Sequence, residues 1–247
     1  MGQSPCANRS ILGSLASGNA RIVDLTHTIH ENLPPWPGDT KSFEVQPNGV
    51  LERDGYFSRS FWMLEHYGTH LDAPAHFAAQ GATVDQIPAE RLFGPAVVID
   101  VTRDAAHSAD YLLPAARIEE WERRHTRVPE GAIVLLRTGC ARYWPNAALY
   151  RGIDSRGIMH FPGFSVEAAQ LLIERRVSGI GADAMSVDCG ASKSYDVHRL
   201  VLGAGIYQLE NLADLETLPE AGAFLIVAPI KLEGGSGGAC RVFAILP

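Results

Sequence analysis

The chain has 247 residues, 46% of them hydrophobic, which is enough for one sizeable core, and its net charge of −7 offers no basic surface to a nucleic acid. Its four cysteines, Cys6, Cys140, Cys189 and Cys240, stand far apart with no Cys-x-x-Cys pair; this excludes a zinc ribbon, does not resemble a disulfide framework and fits a reducing cytoplasm. No apolar run reaches the ~18 residues that span a bilayer, so no membrane partner is expected.

Residues 1–20 hold one basic residue, Arg9, and no sustained apolar stretch, so they read as a flexible segment rather than a signal peptide. Met1-Gly2 opens like a myristoylation site, but Cys6 stands where serine or threonine is needed. Residues 21–247 read as one domain. Residues 21–26 alternate as a strand does and lead past His27 and His30 into Pro34-Pro35-Trp36-Pro37-Gly38-Asp39, a proline-stiffened loop. There Trp36 is either a flat surface for an aromatic substrate or packing against the core. Residues 43–46 and 57–63 read as strands that deliver the chain to His66.

From His66 to His76 the chain packs three of its nine histidines and Asp72 into eleven residues. All four carry even numbers and would share one face of a strand, but a straight strand would hold His66 and His70 roughly 13 Å apart. Metal–imidazole bonds are only about 2 Å long, so a bend is required. Gly68-Thr69 supplies the turn and Pro74 the exit from the ladder. On that bend His66, His70 and Asp72 converge as ligands for a divalent ion such as zinc or manganese. His76 then faces the same pocket as general acid and base, or serves as a third imidazole ligand.

After this run, residues 89–92 read as a short helix and residues 95–101 as a strand buried on both faces. A helix follows over 114–125 and a second buried strand over 132–137. The loop 138–163 contains His160, a candidate substrate contact or a plain surface histidine. Residues 164–176 form the clearest helix, capped by Ser165, and lead to a short strand ending at Asp183. Asp196 reads as the cap of a helix carrying His198, and Glu210 lies on the next strand. Two terminal strands flank Gly234-Gly235-Ser236-Gly237-Gly238, read as a flexible hairpin turn in preference to an anion cradle. Strands with only three or four interspersed helices make a mixed α/β domain.

The run His-x-Gly-Thr-His-x-Asp-x-Pro-x-His, present without a gap from His66 to His76, resembles the signature of the cyclase family of metal-dependent hydrolases, which includes bacterial kynurenine formamidases and isatin hydrolases. The resemblance covers about 21–247 and implies a swivelling β/β/α fold and a homodimer or homotetramer. It also implies one or two metal ions, with His198 and Glu210 completing a second site bridged by Asp72, and a Trp36 loop near the substrate. The family's Gly-x-Asp-x-x-Ser-x-Asp pattern runs from Gly181 to Asp188, with Ala184 where many relatives place threonine. The expected function is hydrolysis of an aryl amide, either N-formylkynurenine or the cyclic amide of isatin. The segment 107–150 and the glycine-rich tail resemble isatin hydrolases, while Trp36-Pro37-Gly38-Asp39-Thr40 resembles formamidases. A lactone hydrolase or polyketide cyclase using the same metal, and a non-catalytic metal-binding protein, are the alternatives.

Overall fold

The computed structural model describes residues 11–39, 41 and 43–246. The first ten residues, which include Cys6 and Arg9, and Thr40 of the tryptophan loop therefore lie outside the described residues. Among the described residues there are twelve strands: β1 Arg21–Asp24, β2 Phe43–Gly49, β3 Ser58–Met63, β4 His70–Asp72, β5 Phe93–Asp100, β6 Leu112–Leu113, β7 Ile133–Arg137, β8 Gly163–Phe164, β9 Gly179–Ala182, β10 Tyr207–Glu210, β11 Phe224–Pro229 and β12 Gly237–Leu246. The α-helices are α1 Ile11–Ala16, α2 Leu51–Asp54, α3 Thr102–His107, α4 Ala115–Arg124, α5 Ala147–Arg151, α6 Val166–Glu174 and α7 Asp196–Gly203. The short helix expected near residue 89 is a 3₁₀ turn, Ala89–Leu92, and the loop 138–163 contains both a 3₁₀ turn, Cys140–Tyr143, and α5. None of the helices is long and apolar enough to cross a membrane, among the described residues.

The main sheet closes on itself. Its strands run in the order β12-β11-β5-β7-β9-β10-β4, and β4 pairs back onto β12, while β1 extends the same edge of β12 beyond β4. Strands β5, β7, β9 and β10 are parallel and the rest antiparallel, which gives the mixed α/β barrel expected of the swivelling β/β/α fold. Alternation along each strand separates two cores. Leu71, Val98, Leu135, Leu209 and Val242 fill the barrel. Val97, Ile99, Leu136 and Ile180 face outward and pack against α4, α6 and α7 through Trp121, Leu172 and Val201. Strands buried on both faces read as unbroken apolar runs, which is why β5 and β7 stand out in the sequence.

This alternation decides where the polar side chains go. Because Leu71 and Leu209 point into the barrel, His70, Asp72 and Glu210 must point out of it, toward the helices. Ser165 caps α6 as expected, its Oγ accepting from the Ala168 amide at 3.1 Å. The cap of α7 differs from the expectation. Tyr195 precedes that helix in the left-handed region at φ 52°, which leaves Asp196 inside the first turn. The free amides of Val197 and His198 donate instead to Asp188, at 3.1 and 3.0 Å. Nor is the glycine-rich turn loose: Gly235 O and Ser236 O accept from Val84 and Ala73 amides, both at 2.9 Å.

Candidate metal centre and active site

Strands β4 and β10 are antiparallel neighbours with His70 directly opposite Glu210, so these two side chains leave the barrel side by side. Their tips meet with His70 Nε2 3.5 Å from Glu210 Oε2 and 3.1 Å from Asp72 Oδ1. Helix α7 brings His198 over the same spot, its Nε2 3.4 Å from Asp72 Oδ2 and 3.3 Å from Glu210 Oε1. Gly68, at φ 68°, makes the expected turn. That turn folds His66 back until its Nδ1 lies 2.6 Å from Asp72 Oδ1. Beyond β4, the 3₁₀ turn Pro74–His76 stacks His76 on His66, ring centres 4.1 Å apart.

Asp72 is thus the centre of two donor groups, His70 with Asp72 and Glu210, and His66 with Asp72 and His76, each with ligand atoms within 4.8 Å of one another. All six residues expected from the sequence at the metal and acid/base positions come together. His66 and His70 both reach Asp72 Oδ1, at 2.6 and 3.1 Å, and Glu210 stands between His70 and His198. A carbonyl only accepts hydrogen bonds, so His70 Nδ1, 2.9 Å from Gly68 O, carries a proton, and Nε2 is the nitrogen aimed at the carboxylates. Asp188, 2.6 Å from His198 Nδ1, orients the second ring in the same sense.

Burial alone would push the Asp72 carboxyl up, but the surrounding His66, His198 and His70 hold it well below the carboxylate range. Burial likewise pulls on His70, yet Asp72 and Glu210 outweigh it and raise the imidazole to about 9. His198 is raised for the same reason against its burial, by Asp188, Asp72 and Glu210. His76 goes the other way, brought down by burial to about 4. Two carboxylates, Asp72 at 1% and Glu210 at 5% exposure, therefore rely on imidazoles alone for counter-charge. Imidazole nitrogens and carboxylate oxygens converging without a thiol make a donor set suited to a hard or borderline divalent ion.

The cluster forms the floor of a cavity of about 580 Å³. Its walls are apolar and aromatic: Pro34, Trp36, Leu64, Phe77, Met185 and Tyr195. Trp36 and Phe77 lie 6.4 and 5.7 Å from the Tyr195 ring, and Phe77 lies 4.9 Å from His198. Trp36 both lines this cavity and packs against the outer core, the two positions the sequence left open for it. His160 is not among the lining residues; its two ring nitrogens are held by Asp110 and Asp154, at 2.8 and 3.5 Å. Those ion pairs tie down the loop 138–163 and account for the histidine without a ligand. Sequence reasoning missed the lining residues Glu65, Phe77, Tyr195 and Asn211. Asn211 joins the motif turn to the end of β10, donating to Gly68 O at 2.9 Å and accepting from Tyr150 Oη at 2.8 Å.

A family model described as putative cyclase matches residues 23–189. The chain is 32% identical to an isatin hydrolase of Roseibium aggregatum, with 94% of each chain covered. It is 28% identical to a kynurenine formamidase of Salinibacter ruber, over 89% of this chain and 95% of that one. The solved structure of isatin hydrolase A from Labrenzia aggregata, bound to benzyl benzoate, is similar with a TM-score of 0.88 at 38% identity, covering 96% of this chain and 97% of that one. Since the family match runs from β1 through the His66 to His76 stretch as far as the Asp188 cap, and the likeness to the solved hydrolase extends nearly end to end, the chain belongs to the cyclase family.

Proposed function

We propose that the protein is a metal-dependent amidohydrolase that opens the cyclic amide of isatin to isatinate. One observation carries the choice of substrate: aromatic walls stand over a buried imidazole and carboxylate floor, and no lysine or arginine is among the cavity's described lining residues. Isatin is flat, aromatic and uncharged, so it enters such a pocket without leaving a charge unpaired. N-formylkynurenine carries an α-carboxylate, which would meet Asp39 and Glu65 where it needs a cation. The formamidase reading stays second because Asp39 offers a partner for that substrate's ammonium group, and because the chain is similar to a kynurenine formamidase.

In this reading His66, His70, Asp72, His198 and Glu210 hold one or two ions of zinc or manganese. When bound, such an ion supplies Lewis acidity to a carbonyl and brings a water proton within reach of a base near neutral pH. His76, stacked on His66 at the pocket floor, takes a proton from the attacking water. The water oxygen bonds to the amide carbon, the ring C–N bond breaks, and His76 returns the proton to the departing aniline nitrogen. Trp36, Phe77 and Tyr195 hold the aromatic ring and exclude bulk water. The three described cysteines are free thiols, in keeping with a cytoplasmic enzyme. We also infer a homodimer, joined through the β2–β3 hairpin.

Metal content and hydrolysis of isatin, N-formylkynurenine and an aryl lactone, measured on one preparation of wild type and His76→Ala, test the assignment. Isatin preferred, with turnover reduced at least about 100-fold in a variant that keeps its metal, is the expected result. A preference for N-formylkynurenine promotes the formamidase reading, and activity on the lactone alone replaces both. A bound metal with no activity on any of them points to a non-catalytic metal protein.

A further inference from the structure

The glycine-rich turn between β11 and β12 has no place in the reaction as described, yet it reaches the site. Ser236 stands between two residues some 170 positions earlier in the chain. Its amide and its hydroxyl both contact Glu65 Oε2, at 2.8 and 2.7 Å, and the hydroxyl also lies 2.9 Å from His66 Nε2. A hydroxyl has one proton to give, and an ionised carboxylate has none. Ser236 Oγ therefore donates to Glu65 and accepts from His66. That assignment places a proton on His66 Nε2 and makes Nδ1, 2.6 Å from Asp72 Oδ1, the nitrogen that faces the donor cluster.

The turn is built to hold this position. Gly237 pairs with Asp72 across β12 and β4, and Ser236 O accepts from the Ala73 amide at 2.9 Å. A Cβ on Gly237 would fall 2.6 Å from both His66 Cε1 and Leu71 O, so only glycine lets the imidazole lie this close to the strand. His70 and His198 each have one partner that fixes the ring, Gly68 O and Asp188. Of the three, His66 alone lies outside any strand or helix, since it precedes β4.

We propose that Glu65 and Ser236 are a positioning pair that fixes the tautomer and orientation of His66 for metal binding. The proposal rests on the reading of His66 as a ligand, and its test separates the two. Manganese affinity is measured by equilibrium dialysis on wild type, Ser236→Ala, Glu65→Gln and His66→Ala, with melting of the ion-free proteins as a folding control. In parallel, nitrogen-15 NMR of the imidazoles reads which His66 nitrogen carries the proton.

Weakening of about 10- to 100-fold in Ser236→Ala and Glu65→Gln is expected. A larger loss in His66→Ala, and a mixed His66 tautomer in Ser236→Ala against a single Nε2-protonated form in wild type, complete the expected result. Glu65→Gln keeps an acceptor for the Ser236 amide, so it remains informative if Ser236→Ala disturbs the turn. Wild-type manganese affinity in both pair variants, with binding lost in His66→Ala, overturns the proposal and leaves the metal site standing. Wild-type affinity in His66→Ala overturns the ligand reading, and the positioning pair with it.

Discussion

Asp188 is 5% exposed and serves two structures with one carboxylate. It caps α7 through the amides of Val197 and His198, and it holds His198 Nδ1 at 2.6 Å. Two substitutions pull these tasks apart. Asp188→Ala removes both, so urea unfolding of the ion-free protein should show the loss of a helix cap, about 0.5–2 kcal/mol. Asp188→Asn keeps an oxygen for one of the two amides, sets an NH2 against the other and withdraws the negative charge from the imidazole; it should retain part of that stability. Metal affinity in both should fall by about 10- to 100-fold, read by chelator competition, because His198 loses its orienting partner. Equal metal affinity in wild type and Asp188→Asn would show that packing alone holds the ring.

Between elements, polar contacts add to the apolar seam that joins the helices to the barrel. Glu122 on α4 meets Arg175, just beyond α6, in a two-point contact at 2.7 and 2.9 Å, and it also accepts from the Val128 amide. Arg175 is the largest influence on the Glu122 carboxyl and holds it below its ordinary value. A carboxyl lowered in the folded state stabilises fully above its unfolded pKa, and that contribution is lost as pH falls through the folded value. Wild type should therefore lose more stability between pH 6 and pH 3 than Glu122→Gln does, measured by urea midpoints at each pH. Parallel curves would remove the pair from any role in acid sensitivity.

Contacts of this kind mark the limit of what is legible in the chain. The spacing from His66 to His76, the Gly68 turn and the Ser165 cap are local, and local chemistry determines them. The cap of α7 was misassigned to Asp196 because the positive φ of Tyr195 has no sequence signal; that φ moves the task eight residues upstream to Asp188. Glu65 and Ser236 meet only because β12 closes the barrel against β4, a register set by the whole sheet. The family resemblance supplied His198 and Glu210, whose approach likewise depends on α7 packing over β10.

One part of the molecule lies outside the closed barrel and its helices. Among the described residues, strands β2 and β3 pair only with each other, and a two-stranded hairpin is marginal in water by itself. Its odd-numbered face carries Val45 opposite Phe61 and Phe43 opposite Met63, with Phe57 at the tip. Phe43 is anchored against Tyr67 of the barrel side, but Phe57 and Phe61 remain 66% and 63% exposed, beside Tyr56 at 56% and Trp62 at 45%. Trp62, opposite Glu44, lies on the other face, so at 150–250 Å² per aromatic side chain Phe57 and Phe61 leave on the order of 250 Å² of apolar surface in water on the odd-numbered face. Two copies related by a twofold axis would bury on the order of 500 Å² from these side chains, about half of the ~1,000 Å² at which a specific interface begins, and the surrounding hairpin surface would have to supply the rest. Both ends of the hairpin run into the pocket wall, through Asp39 on one side and Leu64 and Glu65 on the other. A second copy docked here would therefore also steady the cavity. Sedimentation equilibrium should give twice the 26.7 kDa chain mass for wild type at micromolar concentration. Phe61→Glu removes one buried phenylalanine from each copy, about 1.5 kcal/mol or more apiece, and should weaken the dimer at least about 100-fold. A monomeric wild type rules the arm out as a dimer contact, and a dimer indifferent to Phe61→Glu moves the interface elsewhere on the chain.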